Sequence, residues 1–198
     1  MWRESHLIRK PSDGVPGKPP LRPDLAELLL VSAHQVQLLL QLAHHHPAAA
    51  WDTALATCTA GNAQVLRCLI GEFGWPGHRL VGERGGTAAW MIAQHAVTDP
   101  DLQRQARELV VRAVAIGDAD PLHLAHLTDR CCVIDGEPQV YGTQYGRDGS
   151  GATVLHPVRD LDGLDERRAA VGLEPLGSGP LTDSPLHLPH LIEASART

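Results

Sequence analysis

Between Ala88 and Val97 the only side chains able to make strong hydrogen bonds are Gln94, His95 and the indole N–H of Trp90. A stretch that is apolar on all sides predicts a buried segment, most simply a core helix. Burying a polar group without a partner costs roughly 2–7 kcal/mol, depending on the reference state. An amide beside an imidazole in such a helix therefore needs partners from elsewhere in the fold. Those partners are either structural or they line a pocket.

The chain around this segment has 198 residues, enough for one domain with a real core. Aromatic residues make up 4% of it, so the core must come mainly from Leu, Val, Ala and Ile. A net charge of −6 and a pI near 6.0 argue against a dedicated nucleic-acid binder, which carries a basic footprint. Only Lys10 and Lys18 are lysines, so nearly all positive charge is arginine. The longest apolar stretch, Leu25 to Ala43, is interrupted by Glu27, Ser32, His34, Gln35, Gln37 and Gln41, which makes it too polar for the expected membrane span. No apolar region follows the charged N-terminus as in a secretion signal. Cys58, Cys68, Cys131 and Cys132 lack the density of a disulfide scaffold, and the adjacent pair lacks C-x-x-C spacing. The expectation is a cytoplasmic protein with reduced thiols and neither a nucleic-acid nor a membrane partner.

Prolines and glycines divide the chain. Residues 1–23 carry five prolines and two glycines and read as a flexible arm. Helices are expected from about Leu25 to His46, where Pro47 stops the first, and from about Ala50 to Phe73, where Gly74-Trp75-Pro76-Gly77 ends the second. A third is expected over 86–97. Asp99-Pro100 and Asp120-Pro121 each have the form of an N-cap followed by Pro at the first helical position. They start a fourth helix to Ile116 and a short fifth ending near Arg130. Cys131 to Ile134, Asp135-Gly136 and Pro138 to Tyr145 then read as a β-hairpin around a favoured turn pair. Val154 to Val158 reads as a further short strand and Asp165 to Val171 as a charged helix closed by Gly172. The fold class is thus mainly α: a single multi-helix domain over 24–176 with a small C-terminal β-hairpin at about 131–145. A loosely held tail occupies 177–198.

A string of short signatures runs through this domain. Asn62 lies in an apolar helix end; Gly74-Trp75-Pro76 and Leu80-Val81-Gly82-Glu83 follow, then Ala88-Ala89-Trp90 and Gln94-His95 with Asp99-Pro100 and Gln103. Leu127-Thr128-Asp129-Arg130, Gln139-Val140-Tyr141-Gly142-Thr143-Gln144, and Arg167-Arg168 with Val171-Gly172-Leu173 complete it. In this order, over about residues 60–176, the chain resembles a bacterial family known only as a domain of unknown function. The resemblance implies a mainly helical fold with a hairpin and brings no established activity. The chain departs from the family at Val97, where the family tends to carry an acidic residue.

Among these residues His95 is the natural candidate for acid–base work, because imidazole titrates near neutral pH. Its alternative is a core histidine bonded to a backbone carbonyl. Trp90 and Gln94 share a helix face at i, i+4, and Met91 and His95 the neighbouring one. Asp129 can orient His95 as a carboxylate orients a catalytic imidazole. Arg130 can clamp a carboxylate or phosphate with its planar fork; the plain alternative for the two is an ion pair at a helix end. Tyr141 and Gln144 are candidates for ligand hydrogen bonds on a strand, with Gln144 on the opposite face from Tyr141 unless a bulge at Gly142 re-aims it. Asn62 is either a pocket donor or a bridge between helices.

Other patterns are weaker. His44-His45-His46 cannot converge on one ion, since consecutive helical residues point about 100° apart. His123 with His126, and His187 with His190, have i, i+3 spacing but lack the carboxylate of an HExxH site. Gly82-Glu83-Arg84-Gly85-Gly86 lacks the Lys-Ser/Thr of a phosphate-binding P-loop, and no Gly-x-Ser-x-Gly elbow is present.

Taken together, the residues lead to a small cytoplasmic enzyme acting on a polar, anionic small molecule by hydrolysis or elimination. No metal ligands are assigned and no organic cofactor is required. In that reading His95 and Asp129 are catalytic, and Asn62, Trp90, Gln94, Arg130, Tyr141 and Gln144 bind substrate. The alternatives are a non-catalytic ligand- or peptide-binding protein and a metal-dependent hydrolase.

Overall fold

A computed structural model of the chain describes residues 19–45, 49–150 and 152–177. Most of the expected N-terminal arm and C-terminal tail, with His46, His187 and His190, lies outside the described residues. Six helices and one small sheet are described: α1 (Pro23–His45), α2 (Ala49–Phe73), α3 (His78–His95), α4 (Pro100–Ala115), α5 (Pro121–Ile134), β1 (Tyr145–Arg147), β2 (Thr153–Leu155) and α6 (Leu164–Ala170). The fold is mainly α with a small β-hairpin.

Helix α3 is the centre, touching α1, α2, α4 and α5. Its residues Ala88 to Gln94 are all buried. Leu29 and Ala33 of α1, Leu66 and Ile70 of α2, and Leu102, Ala106 and Val110 of α4 join them in one core. Few of these side chains are large, so the helices must approach closely. A Cβ at Gly85 would meet the side chain of Val81 in the same helix at 2.7 Å and that of Ala26 in α1 at 3.3 Å, so the bare glycine lets α1 lie close to α3 there. Gly82, at φ 72° and ψ 169°, breaks α3 into a first turn and a main body. That break accounts for the expected start at 86: the glycine-rich run hides a helical turn before it.

Both Asp-Pro starts behave as expected. Asp99 accepts from the Leu102 N–H at 3.1 Å, and Asp120 accepts from the Leu122 N–H at 2.8 Å. Arg67 of α2 also grips Asp99 with both arms of its guanidinium, one at 2.7 Å, tying α2 to the beginning of α4.

The hairpin is real but displaced. The expected strand at 131–134 is the last turn of α5, in which Cys131 and Cys132 are buried. Asp135-Gly136 is that helix's terminator, not a hairpin turn. Gly136 adopts φ 73°; its N–H donates to Val133 O at 3.2 Å and the next N–H, of Glu137, reaches Cys132 O at 2.8 Å. This is the paired 5→2 and 6→1 bonding of a Schellman cap. Strand pairing begins at Tyr145↔Leu155 and is antiparallel through Arg147↔Thr153. Residues 139–144 therefore form a loop between α5 and the hairpin, joined to Val158 only by an isolated bridge at Gln139.

One further expectation changes. The span Pro23–Leu42 has mean hydropathy 1.4 and is long and apolar enough, by composition, to cross a membrane. Its scattered glutamines leave the average that high. Leu25, Ala26, Leu29, Ala33 and Val36 on its inner side are nevertheless buried, as in a core helix.

Candidate functional site

The residues capable of chemistry converge on a seam between α3 and α5. On α3, Trp90 and Gln94 lie one turn apart on the same face. On α5, His123, His126 and Arg130 repeat at i, i+3, i+7 and likewise share a face. The two faces meet. The Trp90 ring stacks on His123 with centroids 4.5 Å apart and planes at 14°, and His126 tilts against it at 5.4 Å and 59°. Gln94 Nε2 donates to Gln144 Oε1 at 3.2 Å, bringing the 139–144 loop to the end of the seam.

Neighbouring helices hold this end rigid. The last carbonyls of an α-helix have no partner within the helix. In α3 the fully buried Gln103 of α4 supplies one, its Nε2 donating to Ala93 O at 3.1 Å and Gln94 O at 3.0 Å. The last turn of α3, with Gln94 on it, is thereby held by α4.

The 139–144 loop is laced from both sides. Asp129, fully buried, accepts the N–H groups of Val140 (2.7 Å), Tyr141 (3.0 Å) and Thr143 (2.9 Å) and the Thr143 hydroxyl (2.9 Å). Arginines of α6 take the loop's carbonyls: Arg167 Nε donates to Val140 O at 3.0 Å, and Arg168 donates to Tyr141 O at 2.6 Å. Gln139 closes the loop from within, accepting the Gln144 N–H at 2.7 Å and donating to Gln144 O at 3.0 Å and His156 O at 2.9 Å. Gly142, at φ 67°, lets the chain reverse between the two grips.

Beside this laced loop the seam is under-satisfied. Buried polar atoms without a hydrogen-bond partner among the described residues include Trp90 Nε1, Gln94 Oε1, His126 Nδ1 and Arg130 Nε, all of them here. Native interiors leave few such atoms, so a cluster calls for a ligand or water. Arg130 makes no ion pair among the described residues, and burial pulls its guanidinium below the usual value. Burial also pushes His95, His123 and His126 down to about 4, with the charge of Arg130 adding to the effect at His95 and His126. All three are neutral imidazoles near pH 7.

Most of the sequence candidates meet here. Trp90, Gln94, Arg130 and Gln144 belong to the seam or its rim, His95 follows Gln94 within reach of the Arg130 charge, and the Tyr141 backbone is held in the adjoining loop. Two do not serve the roles first given to them. Asp129 makes no hydrogen bond or ion pair with His95; its oxygens are occupied by loop donors, so it positions the loop rather than the imidazole. Asn62 donates to Ser32 O at 2.9 Å and contacts Cys58 Sγ at 3.7 Å, which makes it the bridge between α1 and α2. The strand argument for Tyr141 and Gln144 falls with the strand, since Gln144 is turned toward Gln94 by the loop. His123 and His126 are the seam residues missing from the sequence candidates. Their i, i+3 spacing is visible in the sequence, but the indole they pack against is not. Among the described residues no group of three or more His, Cys, Asp or Glu side chains is arranged to hold a metal ion.

Residues 23–179 match the model of a family described as "Family of unknown function (DUF6624)". The chain belongs to this family. No curated protein and no solved structure matches it. The matched span of the DUF6624 chain takes in all six helices, the laced loop and the seam.

Proposed function

We propose that the α3–α5 seam binds a small, polar, anionic molecule and that this DUF6624 protein is a cytoplasmic enzyme acting on it by histidine acid–base chemistry, hydrolysis or elimination. One observation carries the reading. Arg130 is a half-buried guanidinium with no carboxylate partner among the described residues and with a buried, unpaired Nε. Burying an unpaired cation is costly, and an anionic ligand would relieve that cost. Trp90 Nε1 adds a donor, Gln94 Oε1 an acceptor, and His126 Nδ1 an unoccupied ring nitrogen. In this site Arg130 holds the anionic group, and His126 or His95, neutral beforehand, takes a proton from the reacting centre or from a water.

The test is a thermal-shift screen of the full-length protein against anionic metabolites, followed by turnover assays on the hits. Arg130→Gln should lose the shift, and His126→Gln should keep it while losing turnover. A screen in which anions never outperform neutral analogues would end the proposal.

A non-catalytic binding protein is the second reading, and one observation favours it. Catalytic imidazoles are commonly oriented by a carboxylate, and none of the three histidines accepts or donates such a bond among the described residues. Ligand shifts without turnover of any bound compound would select it.

A further inference from the structure

We infer that the outer face of α1 is an interface with a second copy of this chain, the two helices meeting along Leu28, Val31, Gln35, Leu38 and Leu42. These five positions are separated by three, four, three and four residues, and all five are exposed. The four apolar ones are between 38% and 52% exposed, while Leu29, Ala33 and Val36 on the inner side of the same helix are buried. Single apolar residues scattered over a surface mean little. A continuous stripe at this alternating spacing is the seam along which one α-helix packs on another.

The hairpin of α1 and α2 carries the second observation. Among the described residues the buried apolar side chains of α1 end at Val36 and those of α2 begin at Ala63, yet α1 continues to His45 and α2 starts at Ala49. Over this stretch Leu39, Leu40, Trp51 and Leu55 are only half-buried and stand outside the main core. Helices draw most of their stability from packing an apolar face against another element. Four half-covered large side chains mark a place where that cover is incomplete.

Gln35 decides the occupant. It lies seven residues from Leu28 and seven from Leu42, so a twofold mate lays the same residue opposite it whether the helices run parallel or antiparallel. A primary amide both donates and accepts. It is therefore complementary to its own copy, as an isologous contact requires. Against lipid the same amide would lose its water without gaining a partner. That contrast matters because Pro23–Leu42 is also long and apolar enough to cross a membrane. Spanning one would pull Leu29 and Ala33 out of the core they share with α3. Four turns of one helix make a short seam, and the half-covered hairpin residues extend it toward the roughly 800 Å² per partner that a stable dimer buries.

The experiment is light scattering of the full-length protein during gel filtration at several loading concentrations. The expected mass at high loading is twice that of the 21.3 kDa chain. Val31→Glu and Leu38→Glu each put a charge into the seam and should return the mass to that of one chain. Both side chains are exposed in a single copy, so helical circular dichroism should persist; if one variant does not fold, the other serves. Val111→Glu, at an exposed apolar residue of α4, should leave the mass doubled. Gln35→Cys should give a disulfide-linked pair on mild oxidation faster than the wild-type chain with its exposed Cys68. A single-chain mass at every concentration overturns the inference, and binding of that monomer to phosphatidylcholine–phosphatidylglycerol vesicles would assign the stripe to lipid instead. A dimer that survives both glutamate variants also overturns it, by placing the contact elsewhere.

Discussion

Asp129 and Arg130 are adjacent on α5 and do not pair: the carboxylate is consumed by N–H groups of the 139–144 loop, while the guanidinium is left beside His95 and His126. One residue builds the wall and the next is left free to meet what the wall encloses. Four predictions follow from this and related contacts.

Asp129→Asn preserves size but turns an NH2 group toward donors. One or two charge-assisted bonds, worth roughly 1.5–3 kcal/mol each, are lost. Urea unfolding should show a loss of about 3 kcal/mol, and amide exchange at Val140, Tyr141 and Thr143 should accelerate. Unchanged protection at those amides would mean that the carboxylate does not hold the loop.

Arg130→Met should behave in the opposite way. Removing a buried, unpaired cation in favour of an apolar side chain of similar length is expected to leave stability unchanged or raise it by about 1 kcal/mol. The same variant should lose the response to anionic ligands. A strongly destabilised protein would show instead that the guanidinium is structural.

Stability should fall in mild acid. His95, His123 and His126 are pushed down to about 4 in the folded chain, chiefly by burial. Arg130 faces His95; His123, Arg168 and Arg130 face His126; Asp120, whose charge partly offsets the shift, and His78 face His123. Unfolded imidazoles titrate near 6.5. Between about 6.5 and 4 the unfolded chain thus binds more protons, and folding weakens as pH drops, by about 1.4 kcal/mol per unit for each histidine so affected. Above pH 7 these groups contribute no slope. Urea midpoints measured at pH 7.5, 6 and 5 check this, and His126→Gln should flatten the decline.

Gly136→Ala tests the end of α5. At φ 73° an L-residue is strained by about 1–2 kcal/mol. Denaturation should register a loss of that size. A hairpin turn at Asp135-Gly136 would instead place 131–134 in a strand, which deuterium exchange would reveal as a different pattern of protected amides.

Much of the helical frame was legible because its signals are local. Asp99-Pro100 and Asp120-Pro121 start helices through their own side chains and ring geometry, and Gly74-Trp75-Pro76 stops one. Asp135-Gly136 misled because the same dipeptide serves a hairpin turn and a Schellman cap; what decides is whether the four preceding residues find burial as helix or strand. The Cys131-Cys132 pair finds it as helix. The site was half legible. Gln94 and His95 stood out because polar groups in an apolar run require partners, but the partners come from about 30 to 50 residues away. Asp129 looked like a histidine's companion in sequence, and only the path of the loop shows whose hydrogens it receives. His123 and His126 carry no metal-motif carboxylate in the sequence, and their ring partner is an indole on another helix.

Arg67 contributes no atom to the seam, yet its grip on Asp99 anchors the start of α4, which carries Gln103, the clasp on the final turn of α3. The second helix is thus a remote foundation for the seam's geometry. Trimming the protein to the segments that meet at the seam would leave them without a floor.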